Sequence, residues 1–162
     1  LQGCVTMARM KYLVLHCTAT PEGREETGAD IRLWHTAPVA NGGRGWKQVG
    51  YTDLIRLDGT VERLVGNNED AEVDPWEVTN GAHGYNSVSR HVVYAGGLAK
   101  DGKTAKDTRT AAQLRSMADY VRRFHKRFPQ VRIVGHGELP GVSKACPSFD
   151  VQAWLRSIGI RQ

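Results

Sequence analysis

Between Thr108 and Phe128 the residues Ala111, Leu114, Ala118, Val121 and Phe124 recur at spacings of three and four. That spacing lays one apolar stripe along a helix of roughly six turns. A stripe of that length has to be covered, and the neighbouring sequence supplies the cover. Lys11–His16 (KYLVLH), Ser89–Tyr94 (SRHVVY) and Val131–Val134 are short apolar runs with β-branched content, as buried strands are. Strands interleaved with helices predict an α/β fold, a sheet with helices packed against it.

The rest of the chain fits that frame. Thr27–Trp34 offers a cap candidate and then Ile31 and Trp34, a short helix that Pro38 stops. Val49–Leu57 and Thr60–Val65 are extended runs joined by Asp58-Gly59, which predicts a β-hairpin. The NGGRG segment at 41–45 reads as a loop. Residues 66–87 are polar and Gly-rich with Pro75, a long surface loop of the kind that tends to carry function. Asp150 is the cap candidate of a last helix reaching Ile158.

The 162 residues suit one domain, placed at 11–158, with 1–10 as an N-terminal extension and 159–162 as a tail. Leu1-Gln2-Gly3-Cys4 looks superficially like the end of a lipoprotein signal, but no apolar segment precedes it. These residues are read as foreign to the natural chain, with Met7 or Met10 as its start. No run approaches the roughly 20 apolar residues that span a bilayer, so no membrane span is expected. Three cysteines, Cys4, Cys17 and Cys146, are too few and too odd a set for a disulfide framework. A net charge of +5 favours a polyanionic partner without choosing one.

The residues that carry chemistry are His16, His136 and Cys146. Two imidazoles and a thiolate give zinc three ligands and leave a fourth position for water, which is the composition of a hydrolytic site. Both histidines end predicted strands, so adjacent strands present them at one sheet edge, and Cys146 returns from the following loop. Taken singly, each is more often a structural residue. Cys17 is a competing thiol, but alternation along the strand sends it to the face opposite His16, into the core.

Four strings occur here in one order: LHCTAT at 15–20, VGYTDLIRLDGT at 49–60, GAH at 81–83 and SKACPSFD at 143–150. Together they resemble the type 2 N-acetylmuramoyl-L-alanine amidases, a family that includes phage lysozymes of the amidase type and the peptidoglycan recognition proteins. The likeness runs from about Lys11 to Trp154, and KACPSFD with an upstream Gly-His is its most specific part. It implies a central mixed β-sheet flanked by α-helices, and Zn2+ on His16, His136 and Cys146. It also implies hydrolysis of the amide between the lactyl group of N-acetylmuramic acid and L-alanine in bacterial peptidoglycan.

The same resemblance assigns Tyr51 and Lys144 to the catalytic surround. Lys144 would set positive charge beside the oxyanion that forms, and Tyr51 would orient water or substrate. It gives His83, with Tyr85 and Asn86 following, a contact with the glycopeptide. Family members often carry two more residues between GAH and GYN. After His136, Gly137-Glu138 stands where the family commonly has Arg-Asp. The general base is left unassigned, since neither Glu22 nor Glu138 is placed by a motif. His35, His91 and His125 are read as non-catalytic.

A phage or prophage lysis protein is the expected context: made in the cytoplasm without a visible signal peptide, acting on the cell wall after release, and monomeric. The competing reading is a peptidoglycan-binding module that does not cut, against which Cys146 stands. Nucleic acid is not an expected partner, because no basic stripe with interleaved aromatic residues is present. A closed structural zinc site is disfavoured by the lack of a CxxC pair or a compact Cys/His knuckle.

Overall fold

The structure, a computed structural model, is described for residues 8–162; the readings of Leu1–Cys4 and Met7 lie outside the described residues. Its centre is a five-stranded sheet. In chain order the strands are β1 (Ala8–Arg9), β2 (Tyr12–Cys17), β3 (Thr20–Pro21), β4 (Asp53–Ile55), β5 (Val61–Arg63), β6 (Glu72–Val73), β7 (Ser89–Tyr94), β8 (Gly97–Leu98) and β9 (Arg132–Gly135). The helices are α1 (Gly28–Thr36), α2 (Ala111–Arg127) and α3 (Val151–Ser157).

The sheet order is β5-β4-β7-β2-β9, with only the β4–β5 pair antiparallel, so the sheet is mixed as expected. Two further pairs lie outside it, β1 with β6 and β3 with β8. Residues 8–10, read from sequence as extension, thus take part in the fold: β1 pairs with β6, and the buried Met10 donates its N–H to Ala71 O at 2.8 Å. The tail is engaged as well, since Ile160 is buried and the Gln162 side chain accepts from Ile133 N–H at 2.8 Å.

Thr27 and Asp150 cap the first and last helices as the sequence offers, while α2 opens on Thr110, two residues into the expected span. Thr27 accepts from Asp30 N–H, and Thr110 accepts from Gln113 N–H, each within a capping box. Asp150 accepts from Ala153 N–H to open α3. Helices α2 and α3 cover one sheet face, burying Met117, Val121, Phe124, Val151 and Leu155 against Leu13, Leu15, Val92 and Tyr94. On the other face Ile31 of α1 joins Leu54 and Val93, while Val14 and Val134 meet Ala82 and Leu139. Gln113, fully buried, donates from Nε2 to Ile55 O and Ala95 O and so ties the ends of β4 and β7 to α2.

The Asp58-Gly59 turn closes β4 onto β5 as its sequence predicts. Gly59 has φ +87°, and a Cβ there would lie 2.7 Å from Ser116 Oγ, so both backbone and packing require glycine. The paired strands are three residues each, shorter than the extended runs that flank the turn. None of the helices among the described residues is long and apolar enough to cross a membrane.

Candidate metal centre

Strand register explains how the two histidines meet. Leu15 of β2 pairs with Gly135 of β9, so the next residues, His16 and His136, stand side by side at the same sheet edge, their ring centroids 4.6 Å apart. The loop bearing Cys146 is pinned there by the two residues that follow the cysteine. Tyr94 Oη donates to Pro147 O at 2.7 Å and Ser148 Oγ donates to Gly97 O at 2.9 Å. One donor atom from each of His16, His136 and Cys146 lies within 4.8 Å of the others, and Cys146 Sγ is 3.8 Å from His16 Nδ1.

These residues fit a metal of the zinc class by donor chemistry. Tetrahedral Zn–N and Zn–S bonds put ligand atoms about 3.5 Å apart, close to the His16–Cys146 spacing. Both imidazoles also present lone pairs at neutral pH. The His16 pKa is held well below the ordinary value, first by burial and then by the neighbouring His91, His136 and Lys144. That of His136 is lowered by burial and by Lys144. The Cys146 thiol is pushed up, first by its contact with the Cys17 side chain and then by burial. Two adjacent sulfurs resist joint ionisation, whereas the Cys17 N–H, 3.2 Å from Cys146 Sγ, and the Lys144 ammonium favour the thiolate there. Cys17 itself belongs to the core on the opposite face, near Ser148, and is not among the clustered donors.

Beneath His16 lies a hydrogen-bond chain whose directions are fixed by its far end. Ala82 N–H donates to Asn86 Oδ1 at 2.8 Å, which identifies that atom as the acceptor. His91 Nε2, 3.1 Å from the same oxygen, is therefore the N–H of its ring. Burial, and next the His136 charge, push His91 down to about 3, so the ring is neutral and its Nδ1 accepts. His16 Nε2 must then donate across 2.8 Å, which leaves His16 Nδ1 as the lone pair facing Cys146. Gly81 permits this stack, since a Cβ there would lie 2.6 Å from His91 Nδ1.

Two of the donors, His136 and Cys146, line a cleft of about 210 Å3 with His35, Arg44, Trp46, Tyr51 and Lys144, and the third, His16, is buried behind them. The lining contains no carboxylate. Glu22 is paired with Lys106 at 2.6 Å, and Glu138 caps a turn by accepting from Gly135 N–H at 2.8 Å. Tyr51 packs between His16 and His35, with ring centroids at 5.0 and 5.3 Å. Burial, reinforced by the two cysteine sulfurs, raises its pKa, so the phenol keeps its proton at neutral pH. His83 is exposed and stands apart from the donors, in an adjoining groove of about 350 Å3 that shares Trp46 and Asn80 with the cleft. Asn86 lines that groove too, but its side-chain oxygen is turned to Ala82 and His91.

The residues read as non-catalytic divide. His125 lies on α2, away from the cleft. His35 accepts from Gly50 N–H at 2.9 Å and lines the cleft wall. His91 is the one whose place sequence reasoning missed: Ser89, His91 and Val93 share one strand face, which is the signal that it lies on the side of the sheet opposite Val92 and Tyr94.

A parallel-strand edge that brings two neutral imidazoles and a thiol together beside an open, carboxylate-free cleft is the arrangement of a hydrolytic enzyme with a three-donor candidate metal site. The comparisons with known proteins agree. The family profile described as N-acetylmuramoyl-L-alanine amidase matches residues 6–149. The chain is 33% identical over 143 residues to the endolysin of Enterobacteria phage K11, covering 88% of this chain and 83% of that one. It is also 33% identical over 156 residues to the endolysin of Escherichia phage T7, covering 91% and 92%. Among solved structures, the Ph2119 endolysin from Thermus scotoductus MAT2119 bacteriophage Ph2119 shares the fold, with a TM-score of 0.69 at 24% identity over 99% of this chain and 93% of that one. The chain belongs to the N-acetylmuramoyl-L-alanine amidase family, and it is a peptidoglycan-hydrolysing amidase.

Proposed function

We propose that this chain is a phage-type endolysin that hydrolyses the amide between the lactyl group of N-acetylmuramic acid and L-alanine, using zinc held by His16, His136 and Cys146. The observation that carries the reading is the convergence of those three donor atoms within 4.8 Å, with His136 and Cys146 lining an open cleft. Zinc, when bound, supplies Lewis acidity and lowers the pKa of water to about 7, the usual contribution of a three-ligand hydrolytic site.

The chain's own groups do the rest. The neutral imidazoles of His16 and His136 offer lone pairs, and the His91–Asn86 chain holds the His16 ring so that Nδ1 faces Cys146. Tyr51 keeps its phenol proton and so acts as a hydrogen-bond donor that orients the scissile carbonyl or the attacking water. The Lys144 ammonium lies at the cleft, where it balances the negative charge that grows on the carbonyl oxygen as the amide is attacked. Arg44, stacked over Trp46 at 4.9 Å, adds a second positive group suited to the carboxylates of a stem peptide. His83 and Asn86 extend the surface available to the glycopeptide along the adjoining groove.

Activity at the cell wall follows from this role, with peptidoglycan as partner and a monomer as the working form. The reading is tested on purified peptidoglycan by sequencing the peptide ends that appear. Alanine N-termini without new reducing sugar ends are expected, lost on chelation and restored by zinc. Reducing ends without alanine N-termini would show that a different bond is cut. Wall binding with no new ends of either kind would replace the hydrolase by a recognition module.

A further inference from the structure

On the sheet face opposite the metal centre lies a second cleft, of about 390 Å3, between α2, β5 and the segment after β5. Four guanidinium groups line it: Arg63, Arg90, Arg123 and Arg127. Three of them have partners. Arg63 binds Asp53 at 2.7 Å and Glu69 at 3.1 Å, Arg123 binds Asp119 at 2.8 Å, and Arg127 Nε donates to Glu69 O at 2.9 Å.

Arg90 has none. It is 6% exposed, its buried Nη2 lacks a hydrogen-bond partner, and it enters none of the ion pairs among the described residues. The nearby Asp53 is committed elsewhere, with Oδ1 accepting from Arg63 Nε and Oδ2 from Tyr120 Oη at 2.6 Å. A buried charge left unpaired is strongly unfavourable, and natural proteins keep one where a ligand pairs with it. Arginine forks also match the geometry of phosphate oxygens, and the cleft volume falls in the range of small-ligand sites.

We infer that this cleft binds a phosphate-type oxyanion, with Arg90 as its buried anchor and Arg123 at its rim. Tyr120, Phe124 and Phe128 form apolar walls for whatever group the phosphate carries. Strand alternation separates this site from the metal centre, because Arg90 and His91 leave β7 on opposite faces.

The test is calorimetric titration of the purified protein with inorganic phosphate at fixed ionic strength, with chloride as control. Saturable binding is expected, weakened at least about tenfold by Arg90→Met. It should also be weakened by Arg123→Ala and retained by Cys146→Ser, which excludes binding at the metal centre. Without phosphate, Arg90→Met should melt at or above the wild-type temperature, since an orphan charge has been removed. Co-sedimentation with phosphatidylglycerol vesicles separates the two sources: capture that Arg90→Met abolishes identifies a lipid headgroup, and phosphate binding without capture identifies a free phosphate. No saturable binding, equal binding by Arg90→Met and wild type, or a lower melting temperature for Arg90→Met would overturn the inference.

Discussion

His16 Nε2 lies 2.8 Å from His91 Nδ1, and because Asn86 fixes which nitrogen of His91 carries the proton, this one contact decides which nitrogen of His16 faces Cys146. A partner that sets both the tautomer and the ring orientation of a ligand histidine typically changes metal affinity about ten- to a hundredfold. His91→Phe keeps the bulk but removes the acceptor, so zinc affinity measured by chelator competition should fall by that factor while the fold persists. Gly81→Ala, which would press on the His91 ring, should shift affinity in the same direction. Unchanged affinity in both variants would show that His16 is oriented without His91.

Tyr51→Phe removes the one phenol between His16 and His35 without altering the donor set. Turnover on a soluble muropeptide should fall on the order of a hundredfold, with zinc content unchanged. A variant that keeps wild-type turnover would remove Tyr51 from the chemistry.

His35 gives the cleft wall a pH-dependent stability. Burial, with Arg44 adding, lowers its folded pKa to about 4 from an ordinary 6.5. Above about pH 6.5 neither folded nor unfolded chain protonates it, and stability is full. As pH falls from about 6.5 to 4 only the unfolded chain takes up the proton, so stability declines; below about 4 both forms are protonated and this contribution is exhausted. Between pH 7 and pH 5, measured by urea midpoints, His35 should contribute a loss on the order of 2 kcal/mol, on top of the losses from His16, His91 and His136, whose folded pKa values are lowered too. His35→Asn, which can still accept from Gly50 N–H, should lose less than the wild type by about that amount, and equal losses would count against the assignment.

Gln113 tests the frame that holds the site. Gln113→Leu leaves the Ile55 and Ala95 carbonyls without their side-chain donor, at a cost of about 2 kcal/mol in chemical denaturation. A loss near zero would mean that solvent takes over at both carbonyls.

What the sequence made legible was local. The helix α2, the strand Ser89–Tyr94, the Thr27 and Asp150 caps and the Asp58-Gly59 turn each follow from neighbours a few residues apart, and the structure has them; of the α2 stripe, Ala118, Val121 and Phe124 are buried, whereas Ala111 and Leu114 are exposed and Gln113 and Met117 take the buried face. Alternation also separates Cys17 from His16, because the two are adjacent on one strand. The His16–His91 contact spans 75 positions and exists only because β2 and β7 pair in parallel at one register. The two-residue β1–β6 pair has no periodicity to read. Arg90 sits in a strand whose other residues are consistent with core packing, and only the commitment of Asp53 to Arg63 and Tyr120 shows that its charge is unmatched.

The central claim is that His16, His136 and Cys146 hold one catalytic zinc. Its most direct test is to measure zinc per chain together with dye release from labelled peptidoglycan, for the wild type and Cys146→Ser. One zinc per wild-type chain is predicted, with both zinc and activity lost in a Cys146→Ser protein that keeps the wild-type circular dichroism. Full activity in a zinc-free wild type, or in Cys146→Ser, would contradict it.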